Sequence, residues 1–157
     1  MRVVDRIHVR APFTRVFAAA SAVTRWPVIL PHYRWVRRLQ DGLVEMAAWR
    51  PFAGGRIKYP TWWVSEMTID RPAGEIRYRH VRGITRGMQV VWRLVENGGV
   101  DGGHDGVDVE IVHTWNGPRW PLIGPLAADF IIGPIFIHGI ASRTLAGIKK
   151  EAERQGA

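Results

Sequence analysis

The chain has 157 residues, of which 46% are hydrophobic and 23% charged. This length and balance exclude a disordered chain and predict a single domain over residues 1–157. The absence of cysteine excludes disulfide bonds and thiolate metal sites. The formal net charge is +8, but the arginines are scattered and no nucleic-acid reader motif accompanies them, so nucleic acid is not an expected partner.

The N-terminal part of the chain predicts one strand followed by two short helices. Residues 2–9 alternate like a strand and start without an apolar signal segment, which predicts a cytoplasmic protein. Helical spacing of apolar residues predicts a helix from Pro12 to Ser21. A second short helix is predicted from Val23 to about Pro31, where the proline ends it.

The central part of the chain reads as successive strands separated by turn residues. Six strands are predicted from alternation, at 33–40, 43–52, 55–69, 74–82, 86–97 and 107–116. The connections are short, so neighbouring strands are expected to be antiparallel. Together with the first strand they predict a sheet of about seven strands.

The tail from about Pro125 to Glu153 has the length and period of one long helix, with a kink or a late start at Gly133-Pro134. The traced apolar face comprises Ala127, Ile131, Pro134 or Ile135, His138, Ala141, Leu145, Ile148 and Ala152. Residues 120–141 are apolar, but Asp129, His138 and two prolines argue against a membrane span. A helix buried under the sheet is the better interpretation.

Alternation also predicts which side chains face the interior. On the strands it turns Ser65, Tyr78, His80 and His113 inward among aromatic residues, although Trp62 and Val64 blur the assignment on the fourth strand. His138 is expected to join them from the helix. Wide apolar walls with few polar groups are typical of a ligand pocket. The alternative, that these are hydrogen-bonded core residues, stays open.

No strong catalytic motif is present in the sequence. A glycine-rich phosphate loop and a serine elbow are both missing, and the six histidines are too dispersed for a local metal motif. No metal and no cofactor are therefore expected. Asp129 is the one acid suspected of acting inside the protein, with a helix-start role for its carboxylate as the alternative.

Several local motifs nevertheless resemble a known superfamily. They are Ala11-Pro12-Phe13 with Val16-Phe17, Thr24-Arg25-Trp26-Pro27, Leu30-Pro31-His32-Tyr33, Gly83 to Met88 with Trp92, and Ile140 to Leu145 with Ile148-Lys149. In order, they are similar to the START-like (SRPBCC) helix-grip superfamily, which includes polyketide cyclase/dehydrases and coenzyme-Q-binding START proteins. The resemblance implies an α+β fold in which a seven-stranded antiparallel sheet wraps around a long C-terminal helix, with two short helices after the first strand.

The aromatase/cyclase branch of this superfamily implies particular site residues. It has a pocket tyrosine after the second short helix and a Trp-Val-Ser stretch, which Tyr33 and Trp63-Val64-Ser65 match. Two residues beyond that serine the branch has an arginine that orients the polyketide, whereas this chain has Met67, which lacks a charge-assisted donor. A pocket histidine with a helix acid, as used by some cyclases, would correspond to His113 and Asp129.

Two functions are weighed for the predicted pocket, and whether the protein is an enzyme stays open. The first is binding of a hydrophobic molecule such as a lipid, isoprenoid quinone or polyketide, as a monomer or homodimer. Its walls and anchors would be Tyr33, Trp63, Ser65, Met67, His80, Trp92, His113, Trp115, Ile131 and His138. The alternative is a polyketide cyclase/dehydratase using His113 as base, Ser65 or Tyr78 as carbonyl donor, and Asp129. A third option is an interaction module whose basic surface makes a peripheral membrane contact.

Overall fold

The computed structural model describes residues 1–40, 42–52, 57–98, 104–117 and 137–154. These residues form seven strands, three α-helices and one 3₁₀ turn. In chain order they are β1 (Arg2–Val9), α1 (Phe13–Ser21), the 3₁₀ turn (Val23–Arg25), α2 (Trp26–Ile29), β2 (Tyr33–Arg38), β3 (Leu43–Phe52), β4 (Ile57–Asp70), β5 (Glu75–Gly83), β6 (Gln89–Gly98), β7 (His104–Thr114) and α3 (His138–Arg154).

The strands form one seven-stranded antiparallel sheet, as predicted, and their order in it is β1-β7-β6-β5-β4-β3-β2. From β3 to β7 each strand pairs with the strand before it in sequence, β2 forms one edge, and β1 adds to the free edge of β7. Period-two alternation then gives the sheet an inner face toward the helices and an outer face. On β7, for example, Val109 and Ile111 are buried while Asp108 is exposed.

The C-terminal helix α3 covers the inner face, and its described part confirms much of the predicted apolar stripe. Ala141, Leu145, Ile148 and Ala152 are all buried. The inward placement of His138 was wrong: its side chain is 61% exposed and its Nδ1 bonds to the Asp5 carboxylate of β1. Because α3 packs along that edge strand, a charged partner there draws the imidazole away from the interior.

Among the described residues, no helix combines the length and the hydropathy needed to cross a bilayer. The predicted helix residues from 125 to 136, including Asp129 and Ile131, lie outside the described part of the chain.

A row of alternating charges crosses the outer face at one level of the sheet. Arg6, Glu110, Arg93 and Glu75 are direct cross-strand neighbours on β1, β7, β6 and β5. Arg93 donates to Glu110 at 3.2 Å and to Glu75 at 3.1 Å. Exposed pairs of this kind contribute little to stability, so the row keeps this part of the outer face polar more than it stabilises the fold.

Two glycines of α3 are expected to respond oppositely to substitution by alanine. A Cβ at Gly147 would overlap the Leu30 side chain, whereas a Cβ at Gly139 meets no atom within 4 Å among the residues that the structure describes. We expect Gly147→Ala to destabilise the protein by up to about 2 kcal/mol, because overpacking against the buried Leu30 costs about 1–3 kcal/mol and helix propensity offsets up to about 1 kcal/mol of that. Gly139→Ala should instead stabilise it by about 0.5–1 kcal/mol through helix propensity. Denaturant unfolding of both variants measures the difference; equal effects would contradict the close packing of α3 on Leu30.

Candidate functional site

A cavity lies between the inner face of the sheet and the beginning of α3. Strands β2 to β7 all contribute side chains to it, and Ile137, Ile140, Ala141 and Thr144 close it from the helix side. Its volume is about 60 Å³, enough for a few water molecules. Sites for drug-sized ligands typically measure about 300–1,000 Å³, so a ligand of that size can occupy this place only if the surrounding side chains move.

Besides Tyr78, four large aromatic side chains wall the cavity. Trp26 packs against two of the others: its ring centroid lies 5.1 Å from that of Tyr33 and 5.7 Å from that of Trp92. The Tyr33 centroid in turn lies 6.3 Å from that of Trp63. The Trp26 ring is held by a 3.2 Å hydrogen bond from its Nε1 to the Ala19 carbonyl. In the sequence Trp26 was noted only as part of the Thr24-Arg25-Trp26-Pro27 motif, and its spacing to the buried Leu30 was the available signal that it faces inward.

Two histidine–threonine pairs hold polar groups around the cavity. His80 is buried and its Nδ1 lies 2.7 Å from Oγ1 of Thr85, in the turn between β5 and β6. Its ring also stacks on Trp63, with 5.9 Å between centroids. His32 Nε2 lies 3.0 Å from Oγ1 of Thr144 on α3. These contacts fix the positions of both imidazoles, and His80 itself lines the cavity.

Tyr78 supplies a buried hydroxyl group at the cavity. It comes from β5, and within the described residues its Oη has no hydrogen-bond partner. Burial, and to a lesser extent the neighbouring Tyr33, raises the pKa of Tyr78 well above its ordinary value. The phenol is therefore neutral at physiological pH and can donate a hydrogen bond to an oxygen placed beside it.

His113 and Tyr78 lie on one transverse row of the sheet. Val90 of β6 is paired with both of them, which puts their Cα atoms about 10 Å apart at the usual strand spacing. Both side chains line the cavity. A molecule lying across Val90 would therefore have an imidazole near one end and a phenol near the other.

The structure brings six of the predicted pocket residues together around one cavity. These are Tyr33, Trp63, Tyr78, His80, Trp92 and His113. The inward orientation of Tyr78, Trp92 and His113 follows from the alternation that predicted it, because β5, β6 and β7 keep a regular register where these side chains lie.

Other predicted residues lie elsewhere. Ser65 is buried on the inner face, without a hydrogen bond from its Oγ within the described residues, but it is not part of the cavity wall. Met67 follows Tyr78 on the same row and is half-buried outside the wall. Trp115 is buried, and its Nε1 donates to the Arg86 carbonyl at 3.0 Å rather than lining the cavity. His138 lies at the edge of the sheet on Asp5.

Asp5 is a buried acid that the sequence analysis missed. Its carboxylate is 5% exposed and bonds to His138 Nδ1. Desolvation raises the pKa of Asp5, while the charge and hydrogen bond of His138 lower it in part. The alternation of Val3, Asp5, Ile7 and Val9 on β1 was the signal that the side chain faces inward. In the described part of the chain, no three histidine and acidic side chains cluster closely enough to hold a metal ion.

Comparisons with known proteins agree with this architecture. A family model described as "Polyketide cyclase / dehydrase and lipid transport" matches residues 9–134. No curated protein sequence matches the chain.

Solved structures similar to the chain come from several bacteria. TTHA0849 from Thermus thermophilus is 14% identical over 100% of both chains, with a TM-score of 0.75. The Zhui aromatase/cyclase from Streptomyces sp. R1128 is 19% identical over 100% of this chain and 96% of its own, with a TM-score of 0.73. A START superfamily protein from Mycobacterium smegmatis is 14% identical over 98% of both chains, with a TM-score of 0.67. At identities this low, the structural similarity establishes only a common fold, the START-like helix-grip fold.

Proposed function

Because the chain belongs to the polyketide cyclase/dehydrase and lipid transport family, we propose that it binds a hydrophobic small molecule in the cavity between the sheet and α3. The observation that carries this proposal is the cavity itself, which combines four aromatic walls with the buried Tyr78 hydroxyl. Lipids, isoprenoid quinones and polyketides all have apolar surface for such walls and oxygen atoms for such a donor. Burial of that surface contributes about 25 cal/mol per Å².

Binding requires the cavity to enlarge. Its volume of about 60 Å³ is smaller than the ligands considered. In the described part of the chain, the first turns of α3 are held by side-chain contacts such as those of His138 with Asp5 and of Thr144 with His32, and side-chain contacts can rearrange more readily than a backbone ladder. We expect this end of the helix and the Trp26 and Trp92 rings to move outward when a ligand enters, as side chains at binding sites commonly do.

The proposal is tested by ligand titration and by extraction. Mass spectrometry of organic extracts from purified protein should find a lipid, quinone or polyketide. Added menadione, a small naphthoquinone, should quench tryptophan fluorescence in a saturable way, since Trp26, Trp63 and Trp92 border the cavity. A protein that carries no extractable ligand, and whose fluorescence responds neither to menadione nor to the apolar dye phenylnaphthylamine, would rule the proposal out.

A polyketide cyclase/dehydratase is the second candidate function, and the shared row of His113 and Tyr78 favours it. His113 would remove a proton from an acidic C–H while the Tyr78 hydroxyl holds the adjacent carbonyl oxygen. Tyr78 is preferred over Ser65 for this role because Ser65 lies outside the cavity wall. Asp129 stays a prediction as the partner acid.

Replacing His113 with alanine tests the cyclase role. If His113 is the base, turnover of a poly-β-ketone substrate should fall by about 10²–10⁴-fold. His32→Ala is the matched control, since His32 bonds Thr144 from outside the cavity wall. Turnover that survives His113→Ala would exclude His113 as the base, and turnover absent from the wild type would leave binding as the function.

Three further expectations stay predictions: a cytoplasmic location, one domain over residues 1–157, and a monomeric or homodimeric state.

A further inference from the structure

A cluster of tryptophans lies on the outer face of the sheet, on the side away from the cavity. Trp35 of β2 and Trp62 of β4 flank Ala47 of β3 in the cross-strand register. Trp49 lies two residues beyond Ala47 and so points to the same face. We call Trp35, Trp49 and Trp62, together with Arg34 and Arg37, the tryptophan face.

The tryptophan face forms a small apolar layer of its own. Ala47 and Val64 point outward in the alternation of their strands, yet they are only 3% and 1% exposed. The Trp62 indole reaches toward β3, where its Nε1 donates to Glu45 Oε1 at 2.8 Å, and it remains 41% exposed. The tryptophans therefore cover the apolar positions beneath them while presenting part of their own rings to solvent.

Two arginines bring positive charge to this layer. The Arg34 guanidinium lies 4.5 Å from the Trp49 ring centroid, and that of Arg37 lies 4.8 Å from the Trp35 ring. Among the described residues neither arginine forms a salt bridge, whereas Arg79 of β5 and Arg93 of β6, on the same outer face, are paired with Glu66 and Glu75. The charge of the tryptophan face is thus available to an external anion.

We propose that the tryptophan face docks on the surface of an anionic lipid bilayer. Indole rings favour the boundary between the apolar and polar parts of a membrane, and arginine binds phosphate oxygens through paired N–H donors. The net charge of +8 complements an anionic membrane surface. Single-stranded nucleic acid fits less well, because it needs free aromatic faces for base stacking, and Arg34 and Arg37 already lie over two of the three rings.

Flotation with vesicles tests the proposal. The protein should float with vesicles of phosphatidylcholine mixed with phosphatidylglycerol, bind much less to pure phosphatidylcholine, and dissociate as salt is raised. Removing two interfacial charges in the double variant Arg34→Gln/Arg37→Gln should weaken binding by about 30-fold, from about 1 kcal/mol per basic residue. This variant keeps the tryptophans, so Ala47 and Val64 stay covered and folding is preserved.

The matched control removes the same amount of charge from strands β5 and β6 of the same outer face. Arg79→Gln/Arg93→Gln should leave vesicle binding within about two-fold of the wild type, because those arginines are ion-paired. Equal losses in the two double variants would show a mere net-charge effect and overturn the proposal. The proposal would also be overturned by an absence of vesicle binding, or by binding to oligothymidylate without binding to vesicles. None of these outcomes depends on whether the cavity binds a ligand.

Discussion

Replacing Ala141 with leucine is expected to lower the affinity for menadione by at least about 100-fold, or about 2.7 kcal/mol. Ala141 is 2% exposed and closes the cavity from α3. The larger side chain would occupy most of a space of about 60 Å³ and hold the helix against the aromatic wall. Because alanine and leucine have similar helix propensities, α3 itself should form normally. Isothermal titration calorimetry measures the affinity.

Ala146→Leu is the control for this prediction. Ala146 is exposed on the same helix, so the variant adds the same atoms outside the cavity and should bind menadione like the wild type. Thermal unfolding should show that both variants fold. Unchanged affinity in Ala141→Leu would place the ligand at a different site.

Replacing Tyr78 with phenylalanine should weaken ligand binding without lowering stability. The hydroxyl makes no protein hydrogen bond within the described residues, so its removal should leave the free energy of unfolding unchanged or raise it by up to about 1 kcal/mol. The same change should reduce the affinity for menadione by about 2- to 13-fold, since a hydrogen bond to a ligand oxygen contributes about 0.5–1.5 kcal/mol.

Methylnaphthalene separates the hydroxyl's role from a change in cavity shape, because it has the ring system of menadione without the carbonyl oxygens. Its affinity should be the same in the wild type and in Tyr78→Phe. An equal loss for both ligands would indicate altered packing. A clear loss of stability in the unliganded variant would show that the hydroxyl is structural.

The sequence predicted the inward side chains best where a strand alternates cleanly between polar and apolar residues. On β5, for instance, exposed Arg77 and Arg79 alternate with buried Ile76 and Tyr78. On β4 the prediction was blurred, because Val64 is buried on the outer face beneath the tryptophans. A local pattern cannot distinguish two apolar faces, and β4 also has a register shift between Val64 and Ser65.

The remaining errors arise from contacts between residues distant in sequence. The exposed position of His138 depends on Asp5, 133 residues away, and helical periodicity carries no information about that partner. Likewise the contact of Trp26 with Trp92, 66 residues later in the sequence, makes it part of the cavity wall, and local spacing indicates only that Trp26 faces inward. The small cavity volume depends on how all the side chains pack together, which no pattern of residue types specifies.

The pairing of β1 with β7 has a consequence for how the chain folds during synthesis. Arg6 meets Glu110, 104 residues later, and α3 packs on β1 after a still longer interval. The first strand leaves the ribosome early but has no partner until β7 follows. Until then both β1 and the growing edge of the sheet expose unpaired backbone groups. Contacts this distant slow folding, so we expect the nascent chain to be most prone to aggregation just before β7 emerges.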